Sequence, residues 1–393
     1  MNLFLNHVPP MGIYETLYSF QDVFGTPMGE SGTHPWSQGF PLTTQIPGGP
    51  KIPTQVDINS TDLMYPKAWG QPQLRETIAA YYNHYHAAKI DAENVMVFAG
   101  GRPGLMAILL FLESDISIRI ASTEYTPYYD MLRLLKRKYE LVKSGVENGF
   151  SPSASDYIGN DNSNRNLVLL SNPCNPTGIT KQGEDLKELV ESAAFGNTGL
   201  LVDEAYELFH EPPISALRYM DNIDESNLFV SGAATKGLQA PGIRIGWVIA
   251  AKKNIEILGN FSSFGMGGVS RPSQLFTMKL FSRERTDLSF KAIPEFYGGQ
   301  RNRYGKAFSD IGLKLFSGKG GFYHWCKLPG NLTAAELNDR LFPHGAAILK
   351  GTDCDMARFG TESPLNQFFR FSFGPLKTDS FDTDIKILGK VLV

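Results

Sequence analysis

The segment SGAATKGLQAPGIRIGW, residues 231–247, is the most informative part of the chain. It places Lys236 in a loop of small residues directly after an apolar run, and Arg244 at the entry to the next apolar run. Little bulk surrounds Lys236, so desolvation would lower its pKa and favour the neutral amine that forms Schiff bases. A lone lysine is more often a solvated surface charge, so this interpretation depends on other segments.

Two segments place a polar side chain where an apolar run ends. LLVDEAY sets Asp203 directly after three apolar residues, with Tyr206 three positions on. A buried Asp203 needs a cationic partner, although an aspartate at such a junction also serves as a helix N-cap. SNPCNPTG, residues 171–178, is a rigid turn that would hold the Asn175 amide in place, or simply a structural loop.

Two further features suit an anion. AGGRPG, residues 99–104, follows an apolar run and opens a helix, where glycines and the helix N-terminus favour a phosphate. The guanidinium of Arg244 also requires an anion, either a phosphate or a buried carboxylate. Each signal is weak by itself.

Short apolar runs alternate with helical patterns through most of the chain, which predicts an α/β domain with a mostly parallel sheet. Gly, Ser and Pro cluster after the runs, where open α/β sheets bind ligands. The helical patterns are QPQLRETIAAYYNHYH, LMAILLFLE, YYDMLRLLKRKY and LKELVESAA. The runs lie at 95–98, 116–121, 167–171, 199–203, 228–232 and 245–250.

The two ends of the chain differ from this pattern. Residues 1–60 are rich in Pro and Gly and predict an extended arm. A polar helix at about 294–311 precedes GGFYHWCKLP, a helix AAELNDRLF and a strand FFRFSFG, which predict a smaller α+β domain. We therefore expect an arm at 1–50 that packs with the small domain, a large α/β domain at 51–285 and a small domain at 286–393.

Composition narrows the class of protein. The 393 residues carry 37 Lys+Arg and 40 Asp+Glu, a net charge of −3, with no clustered cations of the kind that nucleic-acid binders use. Three scattered cysteines suit neither a disulfide framework nor a zinc site. The sequence has no membrane-length apolar stretch and no leader pattern in MNLFLNHVPPMG. We expect a cytoplasmic protein without a metal, a membrane or a nucleic-acid partner.

Taken together, the segments resemble the class I/II aminotransferases, which are fold-type-I pyridoxal 5′-phosphate (PLP) enzymes. The similar stretches are YPKAWGQPQLR, AGGRPG, SNPCNPTG, VDEAY, the segment from Lys236 to Arg244, and FFRFSFG. They span residues 65–374, and QGFP at 38–41 is similar to the family's N-terminal substrate loop. The resemblance implies the PLP-dependent transferase fold and transfer of an amino group from an amino acid to a 2-oxo acid.

The resemblance also implies roles for residues around the cofactor ring. Lys236 would form the Schiff base and move the proton, and Asp203 would pair with the ring nitrogen. Asn175 and Tyr206 would hydrogen-bond the ring oxygen, and Tyr125 in STEYTPYY would stack on the ring.

At the ends of the cofactor and substrate, other residues take part. The phosphate ligands would come from Gly101, Arg102, Pro103, Thr235 and Arg244. Arg370 would clamp the substrate α-carboxylate, with Gly39 and Asn175 beside it. Tyr65 would reach the phosphate of the neighbouring subunit, which implies a homodimer.

The phosphate loop departs from the family pattern. Ala233 stands where Ser or Thr is usual, and Pro103 lacks a backbone donor. We hypothesise that the Arg102 guanidinium replaces the lost hydroxyl and amide. An alternative is that Arg102 faces the substrate as a second carboxylate or side-chain contact.

The motifs leave the reaction and the substrate open. Elimination, cyclisation and amino-acid oxidation use the same scaffold, because the fold constrains the cofactor more than the reaction. A PLP-binding regulator is disfavoured because no helix-turn-helix pattern precedes residue 65. The aromatic-rich arm suits an aromatic substrate, or its rings simply pack the arm against the small domain.

Overall fold

A seven-stranded sheet forms the centre of the larger part of the computed structural model, which describes residues 8–159, 165–194 and 197–392. The strand order is β1-β7-β6-β5-β4-β2-β3; the two pairs that β7 forms are antiparallel, and the other four pairs are parallel. The predicted mostly parallel sheet is confirmed. The strands are β1 (Val95–Phe98), β2 (Ser117–Ala121), β3 (Tyr139–Val142), β4 (Asn166–Ser171), β5 (Thr198–Asp203), β6 (Leu228–Ala233) and β7 (Gly246–Ala250).

Helices cover both faces of this sheet, so every residue of β1, β4, β5 and β7 is buried. This is the reason that these strands read as continuous apolar runs rather than as alternating ones. The helices of this part are α2 (Pro72–His86), α3 (Gly101–Phe111), α4 (Thr126–Leu134), α5 (Ala154–Ile158), α6 (Gly183–Ala194), α7 (Lys252–Phe261) and α8 (Arg271–Leu280).

A smaller antiparallel sheet, of order β10-β11-β9-β8, lies towards the carboxyl terminus. Its core is rich in aromatic side chains, such as Tyr304 and Phe371 with ring centroids 5.2 Å apart. Its strands are β8 (Lys314–Leu315), β9 (Tyr323–Lys327), β10 (Leu349–Lys350) and β11 (Phe368–Ser372), with helices α9 (Arg283–Asp310), α10 (Ala334–Leu341) and α11 (Phe381–Val391).

The structure corrects three expectations about these elements. The arm is not wholly extended, because α1 (Tyr14–Phe24) packs its buried Phe20 against Phe342. The helix expected through residue 139 ends at Leu134; Lys136 then adopts a φ of 53°, and the edge strand β3 follows. The polar helix α9 begins at Arg283 rather than near residue 294.

The arm is attached to the small sheet beside the site. The carbonyl of Trp36 accepts a hydrogen bond from the Ser372 amide at 2.8 Å, and its indole donates to Asp384 at 3.1 Å. These bonds place Ser37 and Gly39 over the carboxyl ends of the large sheet's strands.

Among the helices in the described ranges, none is long and apolar enough to cross a membrane. The first seven residues, which carry part of the leader expectation, lie outside those ranges.

Candidate active site

A cavity of about 300 Å³ lies at the carboxyl ends of β2, β4, β5 and β6, as expected for an open α/β sheet. A second cavity of about 110 Å³ shares part of its wall and adds Gly39, Tyr323 and Arg370. Most of the sequence-predicted site residues therefore come together. The first cavity is lined by Gly101, Arg102, Leu105, Tyr125, Ser171, Asn175, Asp203, Ala205, Tyr206, Ala233, Thr235, Lys236 and Arg244.

Lys236 lies where the two cavities meet. Its amine donates a hydrogen bond to the carbonyl of Gly39 and lies 5.6 Å from the ring centroid of Tyr206. Burial, and to a smaller extent the nearby cations Arg370 and Arg102, lower the pKa of Lys236 to about 7. About half of these amines are neutral at pH 7, which is the state that attacks a carbonyl carbon.

Asp203 ends β5 and is 8% exposed. Its Oδ2 accepts a hydrogen bond from the Tyr128 hydroxyl at 3.0 Å, and its Oδ1 accepts one from the Ala205 amide at 3.2 Å. Burial raises the pKa of Asp203. The carboxylate forms no ion pair within the described ranges, so its geometry suits a cationic group that enters the cavity.

The start of α3 forms the anion-binding end of the first cavity. Gly100 precedes the helix with a φ of 104°, and a Cβ atom on Gly246 would lie 2.5 Å from the Gly101 nitrogen. Because the N-cap Gly100 has no side chain to accept from them, the first amides of α3 are left available to an anion. Arg244 stands opposite with a φ of 55°, and its Nη1 donates to the Pro241 carbonyl at 2.8 Å.

Pro103 occupies the third position of α3 and is not in the wall of either cavity. An amide at this position has no acceptor within its own helix, so proline costs α3 no hydrogen bond. Below the loop, the buried hydroxyl of Ser231 has no hydrogen-bond partner in the described part of the chain. It lies 4.0 Å from the point that a Cβ of Gly101 would occupy.

Arg102 and Tyr125 form one side of both cavities. The Nε atom of Arg102 donates to the Tyr125 hydroxyl at 3.0 Å, which restrains the orientation of the guanidinium. The Tyr125 ring meets the Tyr128 ring edge-on at 5.2 Å, so Tyr125 is held at a fixed angle to the pocket.

Arg370 extends from β11 and is 4% exposed. Its Nη1 donates to Asn175 Oδ1 at 2.9 Å, and its Nη2 donates to the Ser37 carbonyl at 2.6 Å. Neither partner is charged, and among the described residues no carboxylate pairs with Arg370. A buried guanidinium held in this way is ready to bind an incoming carboxylate.

Sequence reasoning missed four residues of the site: Tyr128, Tyr323, Glu124 and Ser171. Glu124 accepts hydrogen bonds from the Ser171 amide and hydroxyl, each at 2.8 Å, and from the Tyr125 amide at 2.7 Å. Burial raises the pKa of Glu124 to about 8. Tyr128 and Tyr323 stand in segments that the sequence did single out, STEYTPYY and GGFYHWCKLP, but nothing local marks them.

Two other expectations concern the periphery. Tyr65 is 92% exposed and lies outside both cavities of its own chain. In the arm, Phe20 and Trp36 are fully buried, and from residue 8 onward no aromatic arm residue enters the cavity walls, whereas Ile13 does. Trp36 packs on Phe371 of the small sheet and Phe20 on Phe342, whereas Tyr14 and Tyr18 are exposed.

The residues present fit PLP. Three groups surround one cavity: the amine of Lys236, the buried side chain of Asp203, and the first amides of α3 together with Arg244. They suit, in that order, the aldehyde, the ring nitrogen and the phosphate of the cofactor. Lys236, Asp203, Asn175, Tyr206, Tyr125 and the start of α3 would hold the cofactor.

Comparisons with known proteins agree with this geometry. The sequence profile of "Aminotransferase class I and II" matches residues 36–380. An aspartate aminotransferase of Pyrococcus horikoshii is 26% identical over 278 residues, 68% of each chain. A valine–pyruvate aminotransferase of Mycobacterium tuberculosis is 26% identical over 332 residues, 81% of each chain.

A crystal structure of an aminotransferase from Mycobacterium tuberculosis superposes with a TM-score of 0.80 at 21% identity, covering 98% of this chain and 97% of that one. At this identity the superposition shows that the fold is shared. The chain belongs to the class I and II aminotransferases, PLP-dependent enzymes that move an amino group from an amino acid to a 2-oxo acid.

Proposed function

We propose that the preferred substrate is a dicarboxylic amino acid and its 2-oxo acid. The observation that carries this proposal is the presence of two guanidinium groups, Arg370 and Arg102, in the wall of the 110 Å³ cavity that also contains Lys236. Arg370 binds the α-carboxylate and Arg102 the side-chain carboxylate. The aspartate aminotransferases among the relatives support an acidic substrate.

The placement of Arg102 favours the substrate over the cofactor phosphate. Arg102 lines both cavities, but its Nε is engaged by Tyr125 and it shares the smaller cavity with Arg370. The anion-binding end already has the first amides of α3, Thr235 and Arg244. A phosphate role for Arg102 would instead predict weaker PLP binding when its side chain is removed.

Each remaining residue of the site has a role in the proposed reaction. When bound, PLP acts as an electron sink for the bond broken at the substrate Cα. Asp203 stabilises positive charge at the ring nitrogen, and Tyr206 donates to the ring oxygen. The amine of Lys236 holds the cofactor and then moves a proton to and from the substrate Cα.

A second candidate is a branched aliphatic substrate. The 110 Å³ cavity has an apolar side formed by Ile13, Pro127 and Leu349. One of the relatives is named a valine–pyruvate aminotransferase. This candidate needs no charged contact from Arg102, so one variant separates the two.

The test is a panel of single amino acids added to the PLP-loaded protein, with the visible spectrum and the 2-oxo acid product recorded. Arg102→Leu should lower kcat/KM for aspartate or glutamate about 10- to 100-fold, the usual loss when a charged hydrogen-bond partner at a site partly open to solvent is removed. Activity with alanine should change less than threefold. Arg133→Leu, an exposed arginine of α4 outside both cavities, is the matched control.

Three results would contradict the proposal. Valine as the best donor, with no effect of Arg102→Leu, supports the aliphatic candidate. If Arg102→Leu lowers kcat/KM equally for all amino-acid donors and also weakens PLP binding, Arg102 binds the cofactor phosphate instead. Ammonia release without conversion of the cofactor indicates elimination.

We also propose a cytoplasmic homodimer in which Tyr65 serves the partner's site. The 92% exposure of Tyr65 and the neighbouring exposed Leu63 and Met64 support a covered face. Mixing inactive Tyr65→Ala and Lys236→Ala proteins should restore activity, because hybrid dimers hold one intact site. No recovery after exchange of subunits, checked by tagged pull-down, would contradict it.

A further inference from the structure

Tyr323 lies between the cofactor end and the substrate end of the site. It comes from β9 of the small sheet, whereas Tyr206 follows β5 of the large sheet. The two hydroxyl groups are 2.5 Å apart and both side chains are buried. This hydrogen bond therefore joins the two sheets at the cavity.

The other face of Tyr323 meets the substrate clamp. The guanidinium carbon of Arg370 stands 4.3 Å from the centroid of the Tyr323 ring. The Nε of Arg370 is buried and has no hydrogen-bond partner within the described ranges, so the ring face is a main contact on that side. A Cβ atom at Gly39 would collide with the Tyr323 hydroxyl, so Tyr323 also limits how closely the arm approaches.

We propose that Tyr323 is a positioning residue that couples the cofactor contact of Tyr206 to the carboxylate clamp of Arg370. Its hydroxyl acts through Tyr206, and its ring acts through Arg370. The proposal rests on the roles of Tyr206 and Arg370 and is independent of which amino acid is the donor.

The hydroxyl pair has a direction once the cofactor is bound. Each hydroxyl carries one proton, so when Tyr206 donates to the ring oxygen, its own oxygen is free to accept from Tyr323. Hydrogen bonds in such a chain strengthen one another, so Tyr323 makes Tyr206 a better donor. A better donor stabilises negative charge on the ring oxygen and lowers the pH at which the bound cofactor loses its proton.

Tyr323→Phe removes the hydroxyl and keeps the ring. In the PLP-loaded protein we expect the pH midpoint of the visible absorbance band to rise by about half a unit, in the same direction as Tyr206→Phe but by less. The KM of the best amino-acid donor should change less than threefold. Tyr323→Leu removes the ring as well, and that KM should rise about five- to thirtyfold through the loss of the Arg370 contact.

Two further proteins keep the test decisive. Tyr304→Phe removes a buried hydroxyl bonded to Asp384 at 2.6 Å, outside both cavities, and should leave the midpoint and KM unchanged. Incorporation of 3-fluorotyrosine at position 323 makes the hydroxyl a stronger donor and should lower the midpoint. This replacement adds only one fluorine and needs no repacking.

The outcomes separate the proposal from its premise. If Tyr206→Phe moves the midpoint and neither change at Tyr323 does, the coupling is absent. If Tyr206→Phe also leaves the midpoint in place, the role of Tyr206 is wrong and the proposal falls with it. If Tyr304→Phe shifts the midpoint as much as Tyr323→Phe, the effect is one of general packing and overturns the proposal.

Discussion

The amine of Lys236 should become reactive at a much lower pH than an ordinary lysine. Burial and the nearby cations move its pKa from 10.5 to about 7. At pH 7 about half of the amines are neutral, against about one in three thousand for an unperturbed lysine. Since only the neutral amine captures an aldehyde, the rate of PLP capture should rise about tenfold per unit up to pH 7 and level off above pH 8.

The perturbation that tests the cause is Arg370→Leu. Removing this cation and admitting water both favour the protonated amine, so the midpoint should move to higher pH. Arg370→Lys keeps the charge and should leave the midpoint close to that of the parent protein. These two variants match each other in position and differ mainly in charge.

The assay follows the visible band after mixing cofactor-free protein with PLP between pH 5.5 and 10. Rates are divided by those of N-acetyl-lysine amide, which removes the titration of PLP itself, and Lys236→Ala confirms the site. We expect this ratio to fall above pH 7, where Lys236 is already neutral and the model amine is not. A ratio that stays constant up to pH 9 would refute the role of burial. A midpoint that stays in place in Arg370→Leu would refute the electrostatic part.

Three other predictions follow from single contacts. Tyr128→Phe removes a hydrogen bond that lowers the pKa of Asp203, so PLP affinity should fall about tenfold and more at pH 6 than at pH 8, measured by PLP titration. Gly246→Ala puts a Cβ 2.5 Å from the backbone of Gly100 and should cost about 3 kcal/mol or more in urea unfolding, whereas Gly298→Ala, with open space around it, should not. Trp36→Ala empties a buried site bonded to Asp384 and should cost about 3–5 kcal/mol in the same assay.

The sequence by itself determined the large sheet, because its strands are buried on both faces and show as apolar runs without any knowledge of their partners. It also determined the residues around Lys236, Asp203 and Asn175, since each follows such a run and the carboxyl ends of neighbouring strands meet at one edge. The boundaries that failed had weak local signals: α1 and the edge strand β3 are stabilised by packing that their own residues do not reveal.

The tertiary structure alone decided which distant side chains meet. Tyr128 bonds Asp203 across 75 residues, Arg370 bonds Asn175 across 195, and Tyr206 bonds Tyr323 across 117. A tyrosine in a strand or helix has the same local pattern whether its hydroxyl faces the core or a ligand. Only the packing of the small sheet and the arm on the large sheet distinguishes these cases, because burial and partners are properties of the assembled fold.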